Sequence, residues 1–219
     1  MNRYRVLFFV FFLFFLLSIS HVYAFINDMS LLGKVIYLDA GHGGRDSGAV
    51  YNDILEKDIN LVIVKKIENE LVSKGAIVYL TRDADTDLST NSKNKKRSDL
   101  KNRAYLINKS DCDMYISIHL NYINDSRWKG LQIFYNDNNK INENIAINMT
   151  NYLKENMKYV RDYKKDNSYY LYKLINKPGV LIELGFLSNP DDRYRLTKEK
   201  YQDILVYHLV NSIINILNS

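Results

Sequence analysis

The stretch KVIYLDAGHGGRDSG, from Lys34 to Gly48, decides how the rest of this 219-residue chain is organised. It begins with strand-forming residues, Val35–Leu38, and then enters a turn that is rich in glycine. A buried strand that ends in such a turn presents a side chain at the carboxyl edge of an α/β sheet. Glycine allows positive φ and the close approach of a ligand. The side chain presented here is His42, and later motifs are candidates to be its partners.

Strand-forming runs alternate with segments of helical periodicity along the rest of the chain. The patterns predict strands at Val35–Leu38, Ala76–Leu80, Met114–Ile118, Leu131–Tyr135 and Val180–Leu184. They predict helices at Ile54–Val72, Leu100–Ile107, Asn142–Asn156 and Tyr201–Leu217, and a further helix that opens at Asn189-Pro190. This alternation predicts a single α/β domain, a three-layer sandwich with a mostly parallel twisted sheet and helices on both faces.

The N-terminal segment has the composition of a targeting sequence. A positively charged start precedes the apolar run Val6–Ile19, which is shorter than the roughly 20 apolar residues that a spanning helix needs. Small residues around Ala24 offer a cleavage site, so residues 1–24 are predicted to be a cleaved signal peptide or an uncleaved membrane anchor. Residues 25–33 are then a linker, and the domain of residues 34–219 is expected to act outside the cytoplasm.

Composition and charge exclude some functions and leave others open. The formal net charge of +5 suits contact with an anionic polymer, but it is too small and too scattered to indicate nucleic-acid binding. The single cysteine, Cys112, excludes an intramolecular disulfide and is interpreted as a small buried hydrophobe. The polar stretch Asp83–Ser98 is predicted to be a loop. A solvated basic loop explains it more simply than a dedicated binding element, and its basic residues are Lys93, Lys95, Lys96 and Arg97.

Four ionisable side chains stand out by their position. His42 follows the first strand, Glu56 lies in the first turn of the first long helix, His119 ends the third strand and Glu183 lies inside the last strand. Histidines at strand ends are often structural, and Glu56 with Asp53 also fits a helix-capping arrangement. Glu183 is harder to explain as structural, because burying an ionised carboxylate among apolar residues is costly. Together, two histidines and one glutamate match the ligands of a catalytic zinc, and a second glutamate supplies a general base.

With these residues and the motifs around them, the chain resembles the zinc-dependent N-acetylmuramoyl-L-alanine amidases, which cleave bacterial peptidoglycan. The resemblance covers nearly all of residues 34–217. The opening DAGHGGRDSGA has Ala40 where the family usually has proline, which alters the stiffness of the turn and removes no ligand. The other matching motifs are Glu56 with Leu61, Thr81-Arg82, Arg103 with Asn108, SIHLN at 117–121 and VLIELGFLSNPDD at 180–192.

This resemblance implies a role for each site residue. His42, Glu56 and His119 would bind one zinc ion, and Glu183 would be the catalytic acid/base. Asn121 is a candidate to support the site or to touch the substrate, and a role in a strand-end turn is equally open. Imidazole and carboxylate ligands suit several divalent metals, so the choice of zinc comes from the resemblance.

A narrower resemblance concerns the stretch of residues 106–135, LINKSDCDMYISIHLNYINDSRWKGLQIFY. It is similar to the spore-cortex branch of the family, which removes stem peptides so that muramic δ-lactam can form. The implied partners are peptidoglycan and an accessory or targeting protein of the same compartment, with no nucleic acid. Contact with the membrane is expected only if the N-terminal segment is not cleaved. Arg82 and Arg103 are expected to pair with acidic groups inside the fold.

Three other functions compete with this interpretation. The chain could be a non-catalytic wall-binding protein with a relic metal site, although all four site residues are present. It could also be a general autolysin of growth and division. The turn Gly41–Gly44 could instead cradle a phosphate, as in a phosphoesterase, but the lysine and hydroxyl pattern of a P-loop is absent.

Overall fold

The computed structural model of the protein describes residues 3–90 and 93–219. The strands are β1 Val35–Ala40, β2 Val50–Tyr51, β3 Ile54–Leu55, β4 Ile77–Leu80, β5 Met114–Asn121, β6 Gln132–Tyr135, β7 Lys164–Lys165 and β8 Gly179–Phe186. The helices are α1 Arg3–Asp28, α2 Glu56–Ser73, α3 Lys95–Lys109, α4 Asn142–Asn156, α5 Pro190–Leu196 and α6 Glu199–Leu217, with a 3-10 turn at Tyr172–Leu174.

The central sheet has six strands in the order β4-β1-β5-β8-β6-β7. The first four are mutually parallel, whereas β6 runs antiparallel to β8 and β7 runs parallel to β6. The predicted mostly parallel sheet is therefore confirmed. Because β1, β5 and β8 are parallel neighbours, their carboxyl ends meet at one edge, which is where ligands bind in such sheets.

Alternation along the central strands divides their side chains between two faces. One face packs against α2, α4 and α6, and its strand residues include Ile36, Leu38, Ile116, Ile118 and Ile182. The other face packs against α3 and the 3-10 turn, and its strand residues include Val35, Tyr37, Tyr115 and Leu181. Both faces are covered, so the predicted three-layer α/β sandwich is confirmed. Glu183 and His119 alternate onto the second face.

Helix α3 begins five residues earlier than the sequence pattern predicts. Its first residue is Lys95, and the side chain of Asn94 caps it by accepting a hydrogen bond from the backbone of Arg97 at 3.4 Å. The prediction that residues 83–98 are all loop is therefore wrong at its end. The apolar spacing used for the prediction begins only at Leu100, because the first turn of α3 is polar on every side.

The start of α2 also differs from the prediction, and this decides how Glu56 is interpreted. Residues 50–51 and 54–55 form a small hairpin, and the helix begins at Glu56 itself. Its N-cap is Leu55, which makes no side-chain capping bond. The capping explanation for Glu56 with Asp53 is therefore wrong, and the carboxylate of Glu56 is free to act elsewhere.

Two local predictions are confirmed. Asn189 caps α5, because its side chain accepts hydrogen bonds from the backbone of Asp191 and Asp192, both at 3.0 Å. Cys112 is buried, with 5% of its surface exposed, next to the apolar face that α3 covers.

The N-terminal segment is helical and precedes the sandwich. The side chains of residues 3–19 in α1 are exposed. The predicted cleavage point after Ala24 lies in residues 20–28, whose side chains are outside the described part of the structure. Leu31, in the predicted linker, is fully buried in the core. Within the described residues, no helix is both long enough and apolar enough to cross a membrane.

Candidate metal centre

The strand order places the candidate ligands on one rim of the sheet. His119 and Glu183 are register neighbours on the adjacent strands β5 and β8. His42 lies two residues beyond the end of β1, which pairs with the other side of β5. Glu56 is the first residue of α2, and this helix starts at the same edge. The four candidate side chains, which span more than 140 positions of the sequence, therefore lie together at one edge of the sheet.

His42, Glu56 and His119 form a group that could hold a metal ion, because one ligand atom from each lies within 4.8 Å of the others. Nε2 of His42 and Nδ1 of His119 both lie 3.1 Å from the same oxygen, Oε1 of Glu56. The two imidazole rings are nearly perpendicular, with centroids 5.0 Å apart. Two imidazole nitrogens and one carboxylate oxygen fit a zinc site that keeps a position open for water.

The carboxylate of Glu56 is held in place by backbone donors. The backbone N–H of Leu120 donates to Oε1 at 2.9 Å, and that of Ala49 donates to Oε2 at 2.8 Å. Burial opposes ionisation of Glu56, but bonds from His119 and His42 hold the pKa of this carboxyl well below its usual range. Glu56 is therefore ionised and oriented, as a metal ligand must be.

Asp46 is a site residue that sequence reasoning missed. Its Oδ2 lies 3.0 Å from Nδ1 of His42, the ring nitrogen that faces away from Glu56. Burial opposes protonation of His42, but Asp46 and Glu56 raise the pKa of its imidazole to about 9. A carboxylate behind a ligating histidine fixes its tautomer and ring orientation. The available signal was an acid four residues after His42 within the same glycine turn.

Two glycines of the turn are required by the space around the ligands. A Cβ at Gly41 would overlap the imidazole ring of His119. A Cβ at Gly48, which has φ of 66°, would overlap both Glu56 and His42. His42 itself has φ of 62°, which is unusual for a residue with a side chain. The glycines expected from the sequence thus allow the ligands to approach one another.

Two buried arginines hold the backbone of the turn. Arg103 donates to the carbonyls of Ala40 at 2.7 Å and His42 at 2.6 Å, and it pairs with Asp39 and Asp99, both at 2.7 Å. The expectation that Arg103 pairs with acids is therefore confirmed.

Arg82 binds carbonyl groups instead of acids. It donates to the carbonyls of Ala40 at 2.9 Å, Gly41 at 3.1 Å and Lys57 at 2.8 Å. Among the described residues it forms no ion pair, so the expectation for Arg82 is wrong. The tight turn leaves several carbonyls pointing inward, and a guanidinium with five donors can satisfy them together.

Asp39 anchors this network below the turn. Its Oδ1 accepts from Thr81 at 2.7 Å and its Oδ2 accepts from Ser117 at 2.6 Å, in addition to the ion pair with Arg103. Burial opposes its ionisation, but the Arg103 guanidinium and the two hydroxyls, with His119, lower the pKa of Asp39 to about 2. Asp39 is thus a structural anion that ties β1, β4, β5 and α3 together.

Glu183 has a different environment from the other carboxylates. Only 5% of its surface is exposed, and burial raises its pKa to about 7; charge on His119 opposes this rise and Glu56 adds to it. Its only hydrogen bond to the described residues comes from the hydroxyl of Tyr169, at 3.4 Å from Oε1. Sequence reasoning did not single out Tyr169, because the segment 169–174 has no clear periodicity. A carboxyl that titrates near neutral pH suits proton transfer.

Asn121 lies at the end of β5, beyond an irregularity in its pairing with β8. Its backbone carbonyl accepts from the backbone of Leu187 at 2.8 Å. Within the described residues, no hydrogen bond links its side chain to the three candidate ligands or to Glu183. Its predicted contribution to the site or to substrate binding stays a prediction.

An open pocket of about 400 Å³ leads to the candidate ligands. It brings two of the candidate ligands, His42 and Glu56, together with the small hairpin, the end of β5 and the start of α3. Its lining residues are His42, Asp46, Gly48, Ala49, Val50, Glu56, Lys96, Leu120 and Tyr122.

Comparisons with known proteins agree on one family. The family described as N-acetylmuramoyl-L-alanine amidase matches residues 36–215. The germination-specific N-acetylmuramoyl-L-alanine amidase of Bacillus subtilis (strain 168) is 41% identical over 192 residues, which are 85% of this chain and 81% of that protein.

Solved structures of amidases share the fold. The CwlD amidase from Clostridioides difficile, in complex with the GerS lipoprotein, is 36% identical with a TM-score of 0.80, over 85% of this chain and 99% of that one. An N-acetylmuramoyl-L-alanine amidase from Clostridium difficile 630 is 33% identical with a TM-score of 0.75, over 85% of this chain and 97% of that one.

Proposed function

Because this chain belongs to the N-acetylmuramoyl-L-alanine amidase family, we propose that it uses zinc to hydrolyse the amide bond between N-acetylmuramic acid and L-alanine in peptidoglycan. The observation that carries the proposal is the convergence of two imidazole nitrogens on one oxygen of Glu56, beside the buried carboxyl of Glu183. His42, Glu56 and His119 would hold the ion. When bound, zinc supplies Lewis acidity, which polarises a carbonyl group and lowers the pKa of water.

The residues of the chain supply the remaining chemistry. The carboxylate of Glu183 accepts a proton from the attacking water and delivers it to the nitrogen of the leaving alanine. A general acid/base works best when its pKa lies near the operating pH, and burial raises the pKa of Glu183 to about 7. Asp46 keeps the ring of His42 oriented, and the hydroxyl of Tyr169 restrains the carboxyl of Glu183.

The biological setting follows from the relatives. The similarity to a germination-specific amidase supports the removal of stem peptides during maturation of the spore cortex. The CwlD amidase was solved with a lipoprotein, which supports an accessory protein as a partner here too. Peptidoglycan lies outside the cytoplasmic membrane, so the domain acts on that side. Residues 1–24 would then act as a signal peptide or an N-terminal anchor, and the mass of the exported protein decides between them.

The test is digestion of purified peptidoglycan by the full chain, after treatment with a chelator and again after addition of zinc. Release of stem peptides that begin with a free L-alanine amine, only when zinc is present, is the expected result in mass spectrometry. Zinc-loaded protein that binds peptidoglycan and releases no peptide, even with its accessory partner, would indicate a wall-binding protein instead.

A further inference from the structure

A group of three cations lies beside the 400 Å³ pocket that contains His42 and Glu56, called the metal pocket below. Arg45 belongs to the glycine turn, and Lys95 and Lys96 belong to the first turn of α3. They line a depression of about 270 Å³ that also contains Asp46. Lys96 and Asp46 line the metal pocket as well, so the two cavities are adjacent.

The same depression contains three acids, Asp46, Asp87 and Asp99, but among the described residues only Lys96 forms an ion pair with one of them. Lys96 approaches Asp46 only to 3.6 Å, and the side chain of Lys96 is 70% exposed. Asp46 is already committed to His42 at 3.0 Å. Among the described residues, neither Arg45 nor Lys95 forms an ion pair with an acid.

The other two acids of the depression have partners of their own. Asp99 pairs with Arg103 at 2.7 Å and accepts from the backbone of Leu88 at 2.7 Å. Asp87 accepts from the backbone of Ser89 at 3.0 Å and interacts electrostatically with Lys95. Arg45 and Lys96, whose side chains are exposed, are therefore available to an anion that arrives from outside.

Helix stability does not explain the cations of α3. The N-terminal end of a helix carries partial positive charge, so acids are favoured there and cations are unfavourable. The first turn of α3 contains no acid. An arrangement that opposes the helix dipole at the mouth of a reactive pocket indicates a role in binding.

We propose that Lys96, supported by Arg45 and Lys95, binds the free carboxylate of the stem-peptide residue that follows the alanine at the cleaved bond. This inference rests on the proposed amidase function. Lys96 lines the same pocket as the candidate ligands His42 and Glu56, so an anion on Lys96 is within reach of a substrate bound there. The carboxyl of the alanine is used in its own peptide bond, so the next residue, at most about 3.6 Å further along the chain, is the first that can carry a free carboxylate.

The test compares two peptidoglycan oligomers that differ in one group: the residue after L-alanine carries either a free carboxylate or a carboxamide. With the acid substrate, Lys96→Gln is expected to raise KM about three- to tenfold, with little change in kcat. With the amide substrate, KM of the variant should equal that of the unchanged protein. Added salt should raise the unchanged protein's KM for the acid substrate only.

A matched control is Lys109→Gln, which removes the same charge from the opposite end of α3. It should leave KM unchanged for both substrates, and zinc content and melting temperature should stay constant in both variants. An equal effect of Lys96→Gln on the two substrates, or no effect on either, would overturn the carboxylate site while leaving the amidase intact. A zinc-loaded unchanged protein that cleaves neither substrate would instead overturn the proposed function.

Discussion

At the scale of single residues, the site separates two neighbouring carboxyls by their surroundings. Burial opposes ionisation of Glu56, but hydrogen bonds and charge from the two imidazoles hold its pKa well below the usual range. Burial raises the pKa of Glu183 to about 7. Pairs of carboxyls whose environments push their pKa values apart have different roles in catalysis. The ionised one suits metal binding, and the one that titrates near neutral pH suits proton transfer.

Glu183→Gln tests the second role. The amide cannot carry a proton between water and the leaving amine, so kcat is expected to fall by about 10²- to 10⁴-fold. Zinc content should stay at the level of the unchanged protein, because Glu183 is not among the candidate ligands. Glu155→Gln, on the exposed surface of α4, makes the same chemical change away from the site and should keep full activity. Activity that survives in Glu183→Gln would exclude its acid/base role.

Asp46→Ala tests the contact behind His42. Loss of the carboxylate frees the imidazole to rotate and removes the group that fixes its tautomer, so zinc affinity should fall about ten- to a hundredfold. Competition with a chelator of known affinity measures the change. Asp53→Ala removes an exposed acid of the neighbouring turn and should leave zinc affinity as it was. Equal affinities for both variants would mean that Asp46 does not orient the ligand.

At the scale of elements, the glycine turn and the start of α2 form the metal-binding group by close backbone approach. Gly41 lies against the ring of His119, and the backbone N–H of Ala49 donates to Glu56 at 2.8 Å. Side-chain volume at these points would separate β1 from β5 or α2 from the turn. The turn, β5 and α2 are thus held close together by the lack of side chains on the glycines as well as by apolar packing.

Gly41→Ala is expected to lower zinc affinity by at least about tenfold, because the new methyl group displaces the ring of His119. The matched control is Gly33→Ala. A Cβ at Gly33 has nothing within 4 Å, although its φ of 79° disfavours alanine. The control should therefore lose about 1–2 kcal/mol of stability and keep its zinc affinity. Isothermal calorimetry with zinc and thermal melts separate the two effects; unchanged affinity in Gly41→Ala would show that the turn adapts.

At the scale of the whole molecule, the ion pair of Asp39 and Arg103 connects the sheet to α3 directly under the site. Both side chains are almost completely buried, and they are joined at 2.7 Å. Removing one partner from such a pair leaves an uncompensated buried charge, which is strongly destabilising. The stability of the fold and the geometry of the metal turn therefore depend on the same contact.

The pH dependence of the free energy of unfolding should reflect the ionisation of Asp39. Its pKa is about 2 in the folded state, below its ordinary value of 3.8, so the unfolded state binds more protons between these values. The pair contributes about 2 kcal/mol above pH 4, and this contribution is lost as pH falls towards 2. Urea unfolding of the metal-free protein from pH 7 to pH 2 measures it. Asp39→Asn should be less stable at pH 7 and show a shallower decline below pH 4, whereas exposed Asp58→Asn should keep the original slope.

The order of the elements and the identity of the candidate ligands could be predicted from the sequence. Helix α4 has the predicted bounds, and every predicted strand forms within two residues of its expected ends, except that β5 runs on by three residues. These features follow from local periodicity and from turn residues, which act over a few neighbours. Glu183 could be identified because burying an ionised carboxylate among apolar residues is costly. His42 could be identified because it lies in a glycine-rich turn directly after a strand.

The tertiary structure decided what depends on neighbours distant in the chain. Strand order places Glu183 beside His119, and β6 lies antiparallel against β8. Asp46, Tyr169 and the carbonyl contacts of Arg82 acquire their roles only when these elements pack. The physical reason is that local patterns specify which face of an element is apolar, whereas the pairing of faces depends on burial summed over segments far apart in sequence. A carboxylate in this chain becomes a ligand, an acid/base or a structural anion according to the donors and the depth of burial that packing gives it.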